Sequence, residues 1–74
     1  MTREIPIRGE TIRLGQLLKL AGVVGSGSEV KDLLAAEPAV VNGEAESRRG
    51  RQLSVGDTVT AAGEELAVVA EPRG

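Results

Sequence analysis

Two apolar stripes with helical spacing lie close together in the first half of this sequence. The first stripe consists of Leu14, Leu17, Leu18 and Ala21. Residues three and four positions apart share one face of an α-helix, so this stripe predicts a short amphipathic helix. Gly22 follows it and is a natural terminator, because glycine readily adopts the left-handed conformation that ends many helices.

A second helix is predicted directly after the first. Ser26 and Glu29 have the spacing of a capping box, in which each side chain satisfies a backbone N–H at the helix start. The apolar stripe that follows consists of Val30, Leu33 and Leu34. Pro38 indicates that the helix has already ended.

The remaining segments predict strands. Residues 4–7 suggest a short edge strand, because Pro6 cannot donate to a sheet ladder. Asn42–Gly43 is a strong hairpin signal between 39–41 and 44–46, since both turn positions need positive φ. Gly56–Asp57 predicts a further turn.

The last part of the chain completes the predicted sheet. Leu53 and Val55 are expected to return to the core, and strands are expected at 58–61 and 66–70 with a turn at 62–65 between them. The order β–α–α–β–β–β–β predicts an α+β domain. We expect two short helices to cover one face of a small, bent antiparallel sheet.

Length and composition limit what such a domain can do. With 74 residues the chain forms one domain, with a core over about residues 5–70 and a flexible tail at 71–74. It has no aromatic residue, so the core must be Leu, Val, Ile and Ala. It has neither Cys nor His, and no nucleophile–base pair is visible. We therefore expect no enzyme activity, no catalytic residue, no metal and no cofactor.

No apolar run is long enough to cross a membrane, and the first ten residues do not resemble a signal peptide. We therefore expect a cytoplasmic monomer. The net charge of −2 argues mildly against nucleic-acid binding. However, three arginines occur without an acid in the basic loop, Arg48–Arg51, which could contact phosphate locally. The alternative is a solvated loop that pairs with Glu44 and Glu46.

Five motifs, in this order, resemble the S-four-type RNA-binding domain, a family named after a small-subunit ribosomal protein. They are L-x-x-L-L-K-L-A at Leu14–Ala21, S-G-S-E-V-K-D-L-L at Ser26–Leu34, V-V-N-G-E at Val40–Glu44, R-R-G-R at Arg48–Arg51 and L-x-x-G-D-x-V at Leu53–Val59. The resemblance is closest to small bacterial proteins that consist of this domain and little else.

The resemblance implies an RNA-facing surface built from the first helix, the start of the second helix and the basic loop. Its implied RNA-binding residues are Arg13, Lys19, Ser28, Lys31, Arg48, Arg49 and Arg51. Taken alone, Lys19 would be an ordinary exposed helix residue, Lys31 would pair with an acidic neighbour, and Ser28 would be a first-turn residue. Gly27 departs from the family pattern, which often has a basic residue there.

Without aromatic residues the chain cannot stack bases on Phe, Tyr or Trp. We therefore expect it to recognise structured RNA, ribosomal or transfer RNA, through phosphates, 2′-hydroxyls and shape, with a possible ribosome partner. Two alternatives stay open. One is a protein-interaction domain without RNA binding. The other is a ubiquitin-like sulfur carrier, which would act through a C-terminal glycine such as Gly74.

Overall fold

A computed structural model describes residues 1–72, and they form an α+β fold, as the sequence predicted. The elements, in chain order, are β1 (Thr2–Ile7), β2 (Thr11–Arg13), α1 (Leu14–Leu20), α2 (Gly27–Ala36), β3 (Ala39–Val41), β4 (Glu44–Glu46), β5 (Gln52–Ser54), β6 (Thr58–Ala61) and β7 (Glu64–Ala70). Strands β1, β3, β4, β6 and β7 make one sheet, and β2 and β5 make a second, smaller one.

The larger sheet has the strand order β1-β7-β6-β3-β4 and is mixed. Strand β1 runs parallel to β7, with Ile5 opposite Val68. The three other strand pairs of this sheet are antiparallel. The expectation of a purely antiparallel sheet was wrong in the pair of β1 and β7. The elements between β1 and β7 in the chain form the long crossover connection that a parallel strand pair requires. The predicted edge position of Pro6 is confirmed, because β1 pairs with β7 alone.

The smaller sheet was not predicted. In it β2 pairs antiparallel with β5, and Ile12 lies opposite Leu53. Each strand has three residues, too few for a period-two pattern to stand out. Leu53 is buried as expected, but Val55 is 47% exposed because β5 ends one residue before it and the chain turns there. The prediction of Val55 as a core residue was therefore wrong.

The helices follow the predicted stripes. Leu14, Leu17 and Leu18 of α1 are fully buried, and Gly22 has φ +76° just beyond the helix end. At the start of α2 the Ser26 hydroxyl accepts a hydrogen bond from the Glu29 N–H at 3.3 Å. The Glu29 carboxylate accepts from the Gly25 N–H at 2.8 Å, one residue before the position that a capping box predicts.

The core is wholly aliphatic, as the composition required. Leu53 and Leu66 from the two sheets are, like Leu14, Leu17 and Leu18 of α1, without solvent exposure. Val30 and Leu34 of α2 are buried as well, whereas Leu33 is half-buried at the margin. The two helices and both sheets therefore share one core, and the helix starts are fixed relative to the strands.

Two predicted turns are bonded to each other. Asn42 and Gly43 both have positive φ, as the hairpin prediction required. The Asn42 side-chain amide donates to the Asp57 carboxylate at 3.1 Å and accepts from the Thr58 N–H at 2.9 Å. The other Asp57 oxygen accepts from the Ser54 N–H at 2.8 Å. These polar turn residues are thus committed to structure, on a part of the chain distinct from the basic loop.

Near the end of the described chain, Glu71 is held by two contacts. Its N–H donates to the Ile7 carbonyl at 2.9 Å, and its carboxylate pairs with Arg8 at 3.3 Å. Arg73 and Gly74 lie outside the described residues. The flexible tail therefore stays a prediction.

Candidate nucleic-acid interface

The basic loop is fixed to the start of α1 by backbone hydrogen bonds. The Arg51 carbonyl accepts from the Leu14 N–H at 2.8 Å, and the Arg49 carbonyl accepts from the Gly15 N–H at 2.9 Å. The first N–H groups of a helix lack partners within the helix, and Arg13 provides no side-chain cap here. The loop therefore caps α1, and the position of each depends on the other.

Gly15 allows this close approach. A Cβ atom on Gly15 would lie 3.4 Å from the Cβ and the carbonyl oxygen of Arg49, and 3.4 Å from Cγ1 of Val30. Gly15 is buried, and it lies beside the groove between α1, α2 and the basic loop. Sequence reasoning assigned it no role. The available signal was a glycine inside a predicted helix, where it lowers helix stability unless packing requires it.

Glu46 organises the basic loop. One of its carboxylate oxygens accepts from Arg48 Nη2 at 3.2 Å and Arg51 Nη1 at 3.0 Å. The other accepts from the Arg48 backbone N–H at 3.0 Å and Arg48 Nε at 3.2 Å. We call these three residues the Glu46 cluster. It confirms part of the alternative prediction, that the loop pairs with acidic neighbours.

The cluster stabilises the charged form of Glu46. Hydrogen bonds from the Arg48 side chain, the Arg48 backbone and the Arg51 side chain lower the pKa of Glu46 from its ordinary value to about 2. The same contact raises the pKa of Arg48. In the part of the chain that the structure describes, Glu44 makes no such ion pair, so the predicted pairing with Glu44 is not present there.

Four cationic side chains have a different environment. Within residues 1–72, the side chains in ion-pair contact with a carboxylate are those of Arg3, Arg8, Arg48 and Arg51. The four remaining described cations are Arg13, Lys19, Lys31 and Arg49. All four are exposed. The expected pairing of Lys31 with an acidic neighbour is absent from the described chain, because Glu29 turns back to the Gly25 N–H instead.

These four cations line adjoining grooves. A groove of about 220 Å³ runs between α1, the start of α2 and the basic loop. Its charged lining residues are Arg13, Lys19 and Arg49. Arg49 also lines a second groove with Lys31. We call Arg13, Lys19, Lys31 and Arg49 the basic surface. A third groove places Arg13 beside Arg48 and Arg51, so the Glu46 cluster adjoins the basic surface.

The structure therefore brings together six of the seven predicted site residues. The seventh, Ser28, is exposed in the first turn of α2 but lines none of these grooves, whereas Gly27 beside it lines the first. Gly27 has open space around it, so the basic residue that the family often has at this position would meet no clash at its Cβ atom. The grooves therefore bring together cationic side chains from separate segments of the chain.

The comparisons with known proteins agree with this architecture. The family model described as S4 domain matches residues 5–69. The chain belongs to the S4 domain family. It is also 49% identical over 59 residues, covering 80% of this chain and 83% of the relative, to "Probable ribosome maturation protein RlbA" of Bacillus subtilis (strain 168).

Membership in the S4 family confirms the resemblance drawn from the five motifs. It does not agree with the ubiquitin-like alternative, and neither do the two consecutive helices. Gly74, on which that alternative depended, lies outside the described residues. No helix formed by residues 1–72 combines the length and the apolar character that a membrane crossing needs.

Proposed function

We propose that this protein binds structured RNA, ribosomal or transfer RNA, through contacts to phosphates and to the shape of the folded RNA. It acts as a cytoplasmic monomer and by binding, not by catalysis. One observation carries the proposal. The four cations that no carboxylate of residues 1–72 neutralises lie on one surface, contributed by three separate segments of the chain.

The S4 family assignment and the relative's name support a ribosome-related role. The relative is named for ribosome maturation, which would make ribosomal RNA, or a ribosomal particle that contains it, a partner for this chain too. The acidic net charge of −2 does not oppose this, because at physiological salt a phosphate responds mainly to charges within about 8 Å.

The chemistry of the surface sets the mode of recognition. Guanidinium groups offer paired donors that match phosphate oxygens, whereas lysine contributes a point charge. No aromatic side chain is present to stack on unpaired bases. Contacts to about four to six phosphates would give a slope of log K against log salt of roughly −3 to −5. Affinity should therefore fall steeply as salt rises.

The test compares two charge-matched double variants. Arg13→Gln with Arg49→Gln removes two cations of the basic surface, and Arg3→Gln with Arg8→Gln removes two that are paired with acids elsewhere. Binding to a bulged RNA hairpin is measured across a salt series. We expect the first variant to lose at least tenfold in affinity and about two units of salt slope, and the second to lose little.

Equal losses in the two variants would contradict a localised RNA surface. Absence of hairpin binding by the wild type would contradict the proposed function itself. That second outcome would favour the alternative of a protein-interaction domain, for which the exposed side chains of Leu20 and Val55 offer apolar contacts.

A further inference from the structure

Glu46 is the only charged side chain that is buried among residues 1–72, at 7% exposure. It accepts four hydrogen bonds, and all four donors belong to Arg48 or Arg51. A buried carboxylate is tolerated only when it is paired and hydrogen-bonded. These hydrogen bonds compensate the burial of Glu46 and link it to two positions of the basic loop.

The arginines of the Glu46 cluster have reduced capacity to attract phosphate. Two guanidinium charges share one carboxylate, so the cluster has one net positive charge, or about half a charge for each arginine. The side chain of Arg51 is also only 34% exposed, whereas that of Arg48 is 77% exposed. Both guanidinium groups use some of their N–H donors to bond Glu46, and these bonds set the orientation of each group.

Arg49, between them in sequence, takes no part in the hydrogen bonds to Glu46. Its carbonyl is bonded to the Gly15 N–H, so its backbone is fixed, but its side chain pairs with no carboxylate of residues 1–72. It is the residue shared by the two grooves that contain Lys19 and Lys31. A full positive charge is thus held at the centre of the basic surface by a loop that Glu46 and α1 keep in place.

We propose that Glu46 is a positioning residue that divides the loop arginines by role. It commits Arg48 and Arg51 to holding the loop on α1, and this leaves Arg49 as the principal phosphate-binding arginine of the loop. The inference rests on the proposed RNA-binding function and deepens it. It predicts that a buried acid, which electrostatics alone would treat as unfavourable for RNA binding, is required for that binding.

The first experiment removes ion pairs without changing net charge. Glu46→Gln with Arg48→Gln disrupts the cluster, and the matched control Arg8→Gln with Glu71→Gln removes an exposed pair elsewhere. Both are titrated with a bulged RNA hairpin and with a single-stranded RNA of equal length. We expect the cluster variant to bind the hairpin about tenfold more weakly and the control to bind within twofold of wild type. Equal affinities would overturn the proposal.

A second experiment separates the arginines by salt dependence. Arg49→Gln should lower the magnitude of the salt slope for the hairpin by about 0.9, the value for one phosphate contact, and Arg48→Gln should lower it by less than half as much. A residue with a merely structural role would change stability without changing this slope. Equal slope changes in the two variants would contradict the division of roles.

Amide hydrogen exchange without RNA distinguishes failure of this inference from failure of the proposed function. The N–H groups of Leu14 and Gly15 donate to the loop carbonyls. Their exchange should be at least tenfold faster in the cluster variant than in wild type, and in the control variant its rate should equal that of wild type. Unchanged exchange in the cluster variant would overturn the positioning role. Faster exchange with no RNA binding by the wild type would uphold the positioning role but overturn the phosphate-binding role of Arg49.

Discussion

The two helices of this domain begin in different ways. Helix α2 is capped by its own neighbours in sequence, through Ser26 and through Glu29, which bonds back to the Gly25 N–H. Helix α1 has no side-chain cap, and the carbonyls of Arg49 and Arg51 accept from its first N–H groups instead. One start is therefore a local structure, and the other forms only when a distant loop has folded against it.

This difference shows where the fold and the proposed site are coupled. A change at the start of α2 affects the stability of that helix but leaves the basic loop in place. We expect a change at the start of α1 to move the loop, the Glu46 cluster and the side chain of Arg49 together, because the loop carbonyls are hydrogen-bonded to that start.

The largest effect is expected from Gly15→Val. The Cβ atom of the new side chain would already lie 3.4 Å from the carbonyl oxygen of Arg49, so its two methyl groups would crowd the loop, and overpacking of this kind costs about 1–3 kcal/mol. The matched control is Gly27→Val at the start of α2, where the surroundings are open and we expect a change below about 0.5 kcal/mol. Urea unfolding followed by far-ultraviolet circular dichroism measures both. Equal destabilisation would contradict the close packing of the loop on α1.

The next effect is on stability in acid. The pKa of Glu46 is about 2 in the folded protein, against about 4.3 for an unfolded chain, so the folded state favours the ionised form. Its contribution to stability is complete above the unfolded value and is lost as the pH falls from about 4.3 to about 2. We expect Glu46→Gln to flatten the fall in melting temperature over this range. Glu44→Gln should retain it, and a loss of the pH dependence in both variants would be inconsistent with the cluster.

The smallest effect is expected from Ser26→Ala. Loss of an N-cap hydroxyl costs about 0.5–2 kcal/mol, and the 3.3 Å hydrogen bond here suggests the lower part of that range. Ser28→Ala, two positions later, is the control and should change stability less. Neither variant should change affinity for the RNA hairpin by more than twofold. A larger loss with Ser28→Ala would restore Ser28 as an RNA contact.

The same contrast explains what could be predicted from the sequence. The start of α2, the Asn42–Gly43 hairpin and the leucine stripe of α1 were predicted because their signals lie within a few residues of each other. The charge pattern singled out the loop arginines, and the family resemblance added Arg13, Lys19 and Lys31. The structure places all of them on adjoining grooves.

Features that depend on distant residues were not predicted. The β2–β5 pair is too short to show a pattern, and its existence depends on the basic loop returning to α1. The role of Gly15 depends on what packs against it. Glu46 looked like one of several acidic residues flanking the loop, because nothing in the sequence distinguishes the acid that becomes buried from Glu44, which stays exposed.

The parallel pairing of β1 with β7 sets an order for folding. Thr2 lies opposite Glu65, 63 positions later, so this pair closes almost the whole chain into one loop. Such contacts form late, because the entropy of closing the loop is lost before the contact stabilises anything. We expect α2 and the Asn42–Gly43 hairpin, whose contacts lie between neighbouring residues, to form first and β1 to join last. During synthesis β1 and the cationic residues of the basic surface therefore emerge before β7, the strand with which β1 must pair.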